Sequence, residues 1–298
     1  MNPTGKGIFI WRLASCAGGD PVRLASMARD AGFSWVAIKA ADGYYDFNQG
    51  KGPAWTGPNL LPSAVDALRA VGIKIVGWQY IYGATNIRKT PLAAQEAETA
   101  AANIRRFDFD CWIIDPESEY KRSGAAAWAN TYMTALRAGS PSVSIGLCSY
   151  RYPTLHPELP WSEFLRRSDF HCPQVYWIQA HNPAYQLQRS VNELRALKAL
   201  PIIPVGAAYY EPAYKWQPTV ADLNVFDQMA HELNLPGISW WEWGENGYGA
   251  EYHPDWWAAI SAHDWGEPTP PPLSWNWSMT EWARRQPDPY TGPDPEAV

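Results

Sequence analysis

The chain has 298 residues, of which 46% are hydrophobic and 18% are charged, and its formal net charge is -6 at pH 7. This composition supports a large buried core and argues against nucleic-acid binding, which needs clustered Lys and Arg side chains. The sequence contains no run of about 18 apolar residues, which argues against a membrane span.

Eight apolar runs alternate along the chain with stretches of helical periodicity. The runs cover residues 7–11, 34–39, 73–80, 111–115, 143–150, 170–177, 202–207 and 238–243. Strands that alternate with helices form a parallel sheet, and eight such units predict a closed (βα)8 TIM barrel, an α/β fold, over residues 1–265. Pro173 and Pro204 lie inside two of the runs, where each removes a backbone donor, so we expect β-bulges at both positions.

A Pro/Trp-rich tail is expected after the barrel, over residues 266–298. It begins with the proline-rich stretch 267–272 and continues with Trp275, Trp277 and Trp282. Proline-rich segments are extended and semi-rigid, whereas tryptophans in such a segment favour burial against another surface. We therefore expect the tail to dock on the barrel, on another subunit or on a particle, and self-association through it is one of these alternatives.

Cysteine spacing and short motifs argue against several chemistries. The four cysteines have neither the spacing of a zinc site nor that of a redox pair, so we expect buried free thiols. They are Cys16, Cys111, Cys148 and Cys172. The sequence has no phosphate-binding or dinucleotide-binding glycine motif, no serine elbow and no pair of histidines at helical spacing. It therefore predicts no cofactor and no metal.

The clearest chemical signal is Asp115-Pro116-Glu117, at the end of the fourth run. Side chains two apart on a strand point to the same face, so both carboxylates are expected in the mouth of the barrel, where TIM barrels place their chemistry. Neighbouring carboxylates disfavour each other's ionisation, which raises the pKa of one of them. Such a pair suits glycoside cleavage, in which one carboxyl protonates the leaving oxygen and one supports a cationic transition state.

Further acidic and aromatic side chains fall at or near the ends of the predicted strands. Glu242, inside the aromatic run 240–243, is a third candidate catalytic carboxylate, because a charge among aromatic rings must be paired, functional or facing solvent. The chain has 18 Trp and 16 Tyr against 8 Phe. Rings with an apolar face and a polar edge suit sugars, but they also fill the gap between sheet and helices. The candidate substrate-binding residues are Asp42, Trp78, Tyr80, Tyr150, Trp177, Tyr209, Glu211, Trp241 and Trp243.

Three stretches resemble the muramidase-type glycoside hydrolases, the lysozymes found in many phage endolysins. Residues 36–43, Val-Ala-Ile-Lys-Ala-Ala-Asp-Gly, are similar to the second-strand motif of that family, and residues 72–80 are similar to its third strand. Residues 113–117, Ile-Ile-Asp-Pro-Glu, are similar to its fourth strand, which ends in Asp-x-Glu, an ending that chitinase-type barrels share. The resemblance implies that Glu117 is the general acid and that Asp115 stabilises positive charge or assists attack.

The chain departs from that family in its first predicted strand, which lacks the family's Asp, and at Asp42, where Glu is usual. Glu242 could replace the missing acid from the far side of the barrel mouth. We therefore expect a divergent glycoside hydrolase-like barrel that cleaves a polysaccharide, with bacterial cell-wall glycan favoured. The alternative is a barrel that has lost catalysis and serves as a glycan-binding or structural module of a larger assembly, such as a virus particle.

Residues 1–6 lack the apolar stretch of a secretion signal, so we expect synthesis in the cytoplasm. Action at the cell wall would then follow release from the cell or packaging into a particle.

Overall fold

The computed structural model describes residues 1–50, 57–85, 91–244 and 247–266, and within them eight parallel strands close into a barrel. The barrel order is β1-β2-β4-β5-β6-β7-β8-β9, and β9 pairs with β1, while the short β3 runs antiparallel to β2. The predicted TIM barrel is thus confirmed. The strands are β1 (Gly5–Ile10), β2 (Trp35–Asp42), β3 (Tyr45–Asp46), β4 (Lys74–Ile81), β5 (Cys111–Pro116), β6 (Ser144–Tyr150), β7 (Phe170–Val175), β8 (Val205–Ala207) and β9 (Gly237–Trp241).

One helix follows each barrel strand in the described ranges. Local sequence determines where some of them begin: the Asp20 carboxylate accepts hydrogen bonds from the first backbone amides of α1, and Thr219 and Asp222 form a capping box at the start of α7. Among the described helices, none combines the length and apolar character that crossing a membrane requires. The helices are α1 (Pro21–Asp30), α2 (Leu61–Ala70), α3 (Ala93–Phe107), α4 (Ala125–Gly139), α5 (Trp161–Leu165), α6 (Pro183–Leu197), α7 (Val220–Glu232) and α8 (Pro254–Ala262).

Part of the tryptophan content belongs to the core. Trp35 and Trp112 are fully buried, and each packs against a glycine of a neighbouring strand. A Cβ atom on Gly7 would lie 2.1 Å from Cε2 of Trp35, and one on Gly77 would lie 2.4 Å from Cζ3 of Trp112. These glycines leave the space that the large rings fill, so these two tryptophans stabilise the fold and are unavailable to a ligand.

The expected β-bulges at Pro173 and Pro204 are absent. The His171–Ile202 bridge and the Gln174–Val205 pair keep one register, so the prolines interrupt the hydrogen bonding between β7 and β8 without inserting a residue. The register shift lies instead between β2 and β4, at residues 39–41.

The four cysteines are buried free thiols, as expected. The peptide bond between Trp241 and Glu242, just after β9, is cis. The predicted tail lies outside the described residues except for its first residue, Gly266.

Candidate active site

A pocket of about 280 Å³ lies at the carboxyl ends of the barrel strands. Each of the eight barrel strands, or the residue one or two positions after it, contributes a side chain, as expected for the mouth of a TIM barrel. Asp115 and Glu117 both line it, at the mouth of the barrel. The lining residues are Phe9, Trp11, Lys39, Trp78, Tyr80, Ile113, Asp115, Glu117, Cys148, Gln174, Tyr176, Val205 and Trp241.

Gln174, on β7, joins the two carboxylates. Its Nε2 atom donates to Oδ1 of Asp115 at 3.0 Å and to Oε1 of Glu117 at 3.1 Å. The two accepting oxygens therefore lie at most about 6 Å apart, since both contact the same nitrogen. Asp115 is buried, whereas Glu117 is half-buried and lies just after the end of β5. The amide thus fixes the orientation of both acids relative to the pocket.

The pKa of each carboxyl group is raised above its ordinary value. For Asp115 burial is the main cause and the nearby Glu117 charge adds to it, while Lys39 opposes the rise. Burial also raises the pKa of Glu117, against the hydrogen bond from Gln174 and the positive charge of Lys121. A carboxyl group with a raised pKa keeps its proton toward neutral pH, which is what a general acid needs.

Lys39 brings a positive charge to this acidic pocket. Its ammonium Nζ lies 2.9 Å from Oδ1 of Asp42. On a regular strand, residues three apart point to opposite faces. The register shift at residues 39–41 places Lys39 and Asp42 on the same side, so that the ion pair can form.

Four aromatic rings form one wall of the pocket. Trp241 packs against Trp78 with ring centroids 5.6 Å apart and against Phe9 at 6.1 Å, and Trp11 lies 6.4 Å from it. Nε1 of Trp78 donates to the Ile10 carbonyl at 3.0 Å, which fixes that ring. Trp241 remains half-buried. Its ring can therefore contact the apolar face of a ligand.

A second pocket, of about 260 Å³, adjoins the first and shares Trp11, Lys39 and Tyr80 with it. The Tyr80 hydroxyl donates to Oε2 of Glu119 at 2.6 Å. Burial, followed by the Glu117 charge, raises the pKa of Tyr80, so its hydroxyl stays neutral. The residues that line this pocket are Trp11, Arg12, Lys39, Asp42, Phe47, Tyr80 and Tyr82.

Glu96, a buried residue of α3, anchors the loop that carries Tyr82. Its two carboxylate oxygens accept the backbone amides of Tyr82 and Gly83 at 2.7 and 3.0 Å. Burial raises the pKa of Glu96 to about 7, although the two amide hydrogen bonds lower it. The position of Tyr82 beside the second pocket therefore depends on a buried carboxyl group.

Three aromatic residues predicted to bind substrate are buried elsewhere. Trp177 and Trp243 are both 0% exposed. Trp177 packs on Phe226 of α7, and Trp243 packs on Trp257 of α8. A ring without exposed surface cannot stack on a sugar, so the assignment of these two residues is wrong.

Tyr150 is also misassigned as a sugar-stacking residue, because it is 1% exposed and its ring is covered. His156 stacks on it at a centroid distance of 3.7 Å, and Nζ of Lys121 lies 3.9 Å from the ring centroid.

The remaining candidates do not line either pocket. Glu242 is 4% exposed and lies just beyond the strand end that carries Trp241. Tyr209 is half-buried and packs edge-on against the pocket residue Tyr176, with ring centroids 5.7 Å apart. Glu211 lies in the loop after β8, where Oε1 accepts the Ala213 amide at 3.1 Å. Among the predicted residues, the structure thus brings together Asp115, Glu117, Trp78, Tyr80 and Trp241, with Asp42 in the second pocket.

Sequence reasoning did not single out Lys39, Gln174 or Tyr176. Strand alternation offers a signal for two of them, because Cys172, Gln174 and Tyr176 follow one another at a spacing of two in a run predicted as a strand. Lys39 is a charged residue in an otherwise apolar strand, which is also a sign of function. In the described ranges, no group of three or more His, Cys, Asp or Glu side chains is arranged to hold a metal ion.

No family model matches this chain, and a comparison with curated proteins finds no match. Solved structures similar to it include the endoglucanase Cel5A of Pseudomonas stutzeri, with a TM-score of 0.61 and 11% sequence identity, which covers 89% of this chain and 97% of that one. The GH18 chitinase ChiB of Flavobacterium johnsoniae has a TM-score of 0.57 and 12% identity, and covers 88% of this chain and 94% of that one.

The spore cortex-lytic enzyme SleL of Bacillus megaterium QM B1551 has a TM-score of 0.55 and 9% identity, and covers 87% of this chain and 74% of that one. At these identities the likeness shows the fold alone. The chain therefore shares the TIM-barrel fold of these solved structures, while the muramidase-type resemblance stays a prediction.

Proposed function

We propose that this protein is a glycoside hydrolase that cleaves a polysaccharide, with bacterial cell-wall glycan as the favoured substrate. The observation that carries the proposal is the pair Asp115 and Glu117, joined by Gln174 in a pocket with an aromatic wall. Carboxyl pairs beside aromatic rings meet both needs of glycan cleavage, which are proton transfer to the leaving oxygen and contact with the apolar face of a sugar.

In this proposal Glu117 is the general acid. It is the more exposed member of the pair, and burial raises its pKa, so it can hold a proton and still reach a glycosidic oxygen in the pocket. Asp115 lies deeper, and the two neighbouring carboxyl groups share one proton. When Glu117 holds that proton, the ionised Asp115 supports the positive charge that develops on the sugar or assists the attack on it. Glu242 has no catalytic role in this proposal, since it does not line the pocket.

The separation of the pair supports retention of anomeric configuration. Inverting enzymes hold their carboxyl groups roughly 6.5–9.5 Å apart to admit a water molecule. The oxygens that Gln174 binds are at most about 6 Å apart. Proton NMR of the anomer released first would test this, and release of the inverted anomer would contradict it.

Cell-wall glycan is favoured as substrate by two observations. Residues 36–43 and 113–117 resemble strands of the muramidase-type enzymes. One of the structural neighbours is described as a spore cortex-lytic enzyme and another as a chitinase. The polysaccharides to be tested first are therefore peptidoglycan and chitin, with a β-glucan panel as the third class.

The experiment is reducing-end release from these polymers by the wild-type protein, Glu117→Gln and the surface control Glu158→Gln. We expect release by the wild type and the control and at least a 100-fold loss in Glu117→Gln. Equal release by all three proteins would overturn the assignment of the acid.

One observation favours a second function, that of a glycan-binding barrel without catalysis. The first strand brings Phe9 and Trp11 to the pocket and no acid. Binding to one polymer without release from any of them would favour this alternative over hydrolysis.

A further inference from the structure

Lys39 is an unusual cation because it is almost completely buried and yet lines both pockets. Its side chain is 7% exposed. An ammonium group carries three N–H donors, and among the residues that the structure describes the carboxylate paired with Lys39 is that of Asp42, at 2.9 Å. A single carboxylate oxygen at this distance leaves N–H donors of Lys39 for water or for a molecule in the pockets.

Aromatic rings surround the same ammonium group. Its Nζ atom lies 4.7 Å from the ring centroid of Phe47, 5.0 Å from that of Trp78 and 5.5 Å from that of Trp11. Ring faces attract a cation but accept no ordinary hydrogen bond from it. The Tyr80 hydroxyl, also near, donates its proton to Glu119. The surroundings of Lys39 thus stabilise its charge and leave its N–H donors available to a molecule in the pockets.

The second pocket has the composition of a sugar-binding site. Arg12 contributes a guanidinium group, the Tyr82 hydroxyl donates to Oδ1 of Asp42 at 3.4 Å, and Trp11 and Phe47 add apolar ring surface. Charged and polar groups beside apolar ring surface suit the hydroxyl rim and the apolar face of a sugar unit.

We propose that the two pockets hold two consecutive units of an oligosaccharide, and that Lys39 binds both units by donating to an oxygen atom of each. This inference rests on the proposed glycan specificity and extends it, because it makes a disaccharide the smallest ligand that fills the site. Lys39 is then a substrate-binding residue at the junction of the pockets, whereas Asp42 both pairs with it and accepts a sugar hydroxyl.

The test is equilibrium binding of N-acetylglucosamine and glucose oligomers of one to four units, measured by titration calorimetry. The parent protein carries Glu117→Gln so that no ligand is cleaved, and Lys39→Met is added to it. The matched control is Lys74→Met, which removes an exposed lysine of β4. In the parent and the control we expect a clear gain in affinity from one unit to two. Lys39→Met should lower the two-unit affinity about 10- to 100-fold, as expected for lost hydrogen bonds to a charged group.

A double variant controls for misfolding, because Lys39→Met leaves Asp42 buried beside a methyl group. Lys39→Met with Asp42→Asn removes both charges, and circular dichroism should show the same fold and cooperative melting as the parent. Its two-unit affinity should stay as low as that of Lys39→Met. Unchanged affinity in either variant, or no binding of any oligomer to the parent, would overturn the proposal. A third result is an increase in affinity from one sugar unit to two that depends on Lys39, while the wild-type protein cleaves no polymer. That result would support the Lys39 binding site and contradict the proposed hydrolysis.

Discussion

Gln174 donates its side-chain amide to Asp115 at 3.0 Å although their strands, β7 and β5, are separated by β6. The contact crosses the mouth of the barrel, and the same nitrogen reaches Glu117. Hydrogen bonds to a carboxylate favour its charged form. Gln174 therefore opposes the effect of burial, which raises the pKa of both acids.

Replacing Gln174 by Leu should change the pH dependence of catalysis. Without the amide, the pKa of Glu117 rises further, so the acid stays protonated to higher pH and the alkaline limb of kcat/KM moves upward. At pH 7 we expect kcat/KM to fall about 10-fold or more, since the orientation of both carboxyls is lost. The measurement is a pH profile of wild type, Gln174→Leu and Gln228→Leu, which removes an exposed glutamine of α7. An alkaline limb that moves downward would contradict the role of Gln174.

Trp241 should contribute to ligand affinity, whereas an equally large ring on the outside of the barrel should not. Trp241→Ala removes the half-buried ring at the pocket wall, and we expect the affinity for oligosaccharides to fall by a factor of about 10 or more. Trp257→Ala removes a half-buried ring of α8 that packs on Trp243. That variant should melt at a lower temperature and bind as the wild type does. Equal affinity losses in the two variants would mean that Trp241 acts through stability alone.

Glu96 should make the free energy of unfolding depend on pH. Its pKa is about 7 in the folded protein, compared with the ordinary value of 4.5 that applies to the unfolded chain. The folded state therefore holds this proton more tightly than the unfolded chain does. The resulting stabilisation is complete below pH 4.5 and is lost as the pH rises through about 7, a change of roughly 3 kcal/mol.

Glu96→Gln cannot titrate and should flatten this dependence. Urea unfolding at pH 5 and pH 8 would measure it, with the exposed Glu158→Gln as control. The free energy of unfolding of the wild type should exceed that of Glu96→Gln by less at pH 8 than at pH 5. A difference that stays constant would show that Glu96 does not hold the proton.

The barrel and its acid pair could be predicted because both depend on local patterns. Apolar runs that alternate with helical segments predict strands from the local sequence alone. A spacing of two at the end of a strand then places Asp115 and Glu117 on one face. The same alternation accounts for Trp78 and Tyr80, which line the pocket, while their role in substrate binding stays a prediction.

Contacts across the barrel could not be predicted in this way. Alternation along the run 170–177 places Gln174 and Tyr176 on one face, but it does not show that Gln174 reaches past β6 to Asp115. Trp177, predicted for the mouth, lies beyond the end of β7 and packs on α7. The covering of Tyr150 by His156 and Lys121 depends on loop positions that alternation does not specify. The ion pair of Lys39 and Asp42 depends on the register shift in β2, which has no proline or glycine to mark it.

The closing of β9 onto β1 has a consequence for how the protein loses function. Every barrel strand, or the residue just after it, supplies part of the pocket lining, so no seam of the barrel can open without dismantling the pocket. Opening of any strand pair should therefore abolish ligand binding. On heating, we expect binding to be lost at or below the temperature at which the barrel unfolds, and never above it.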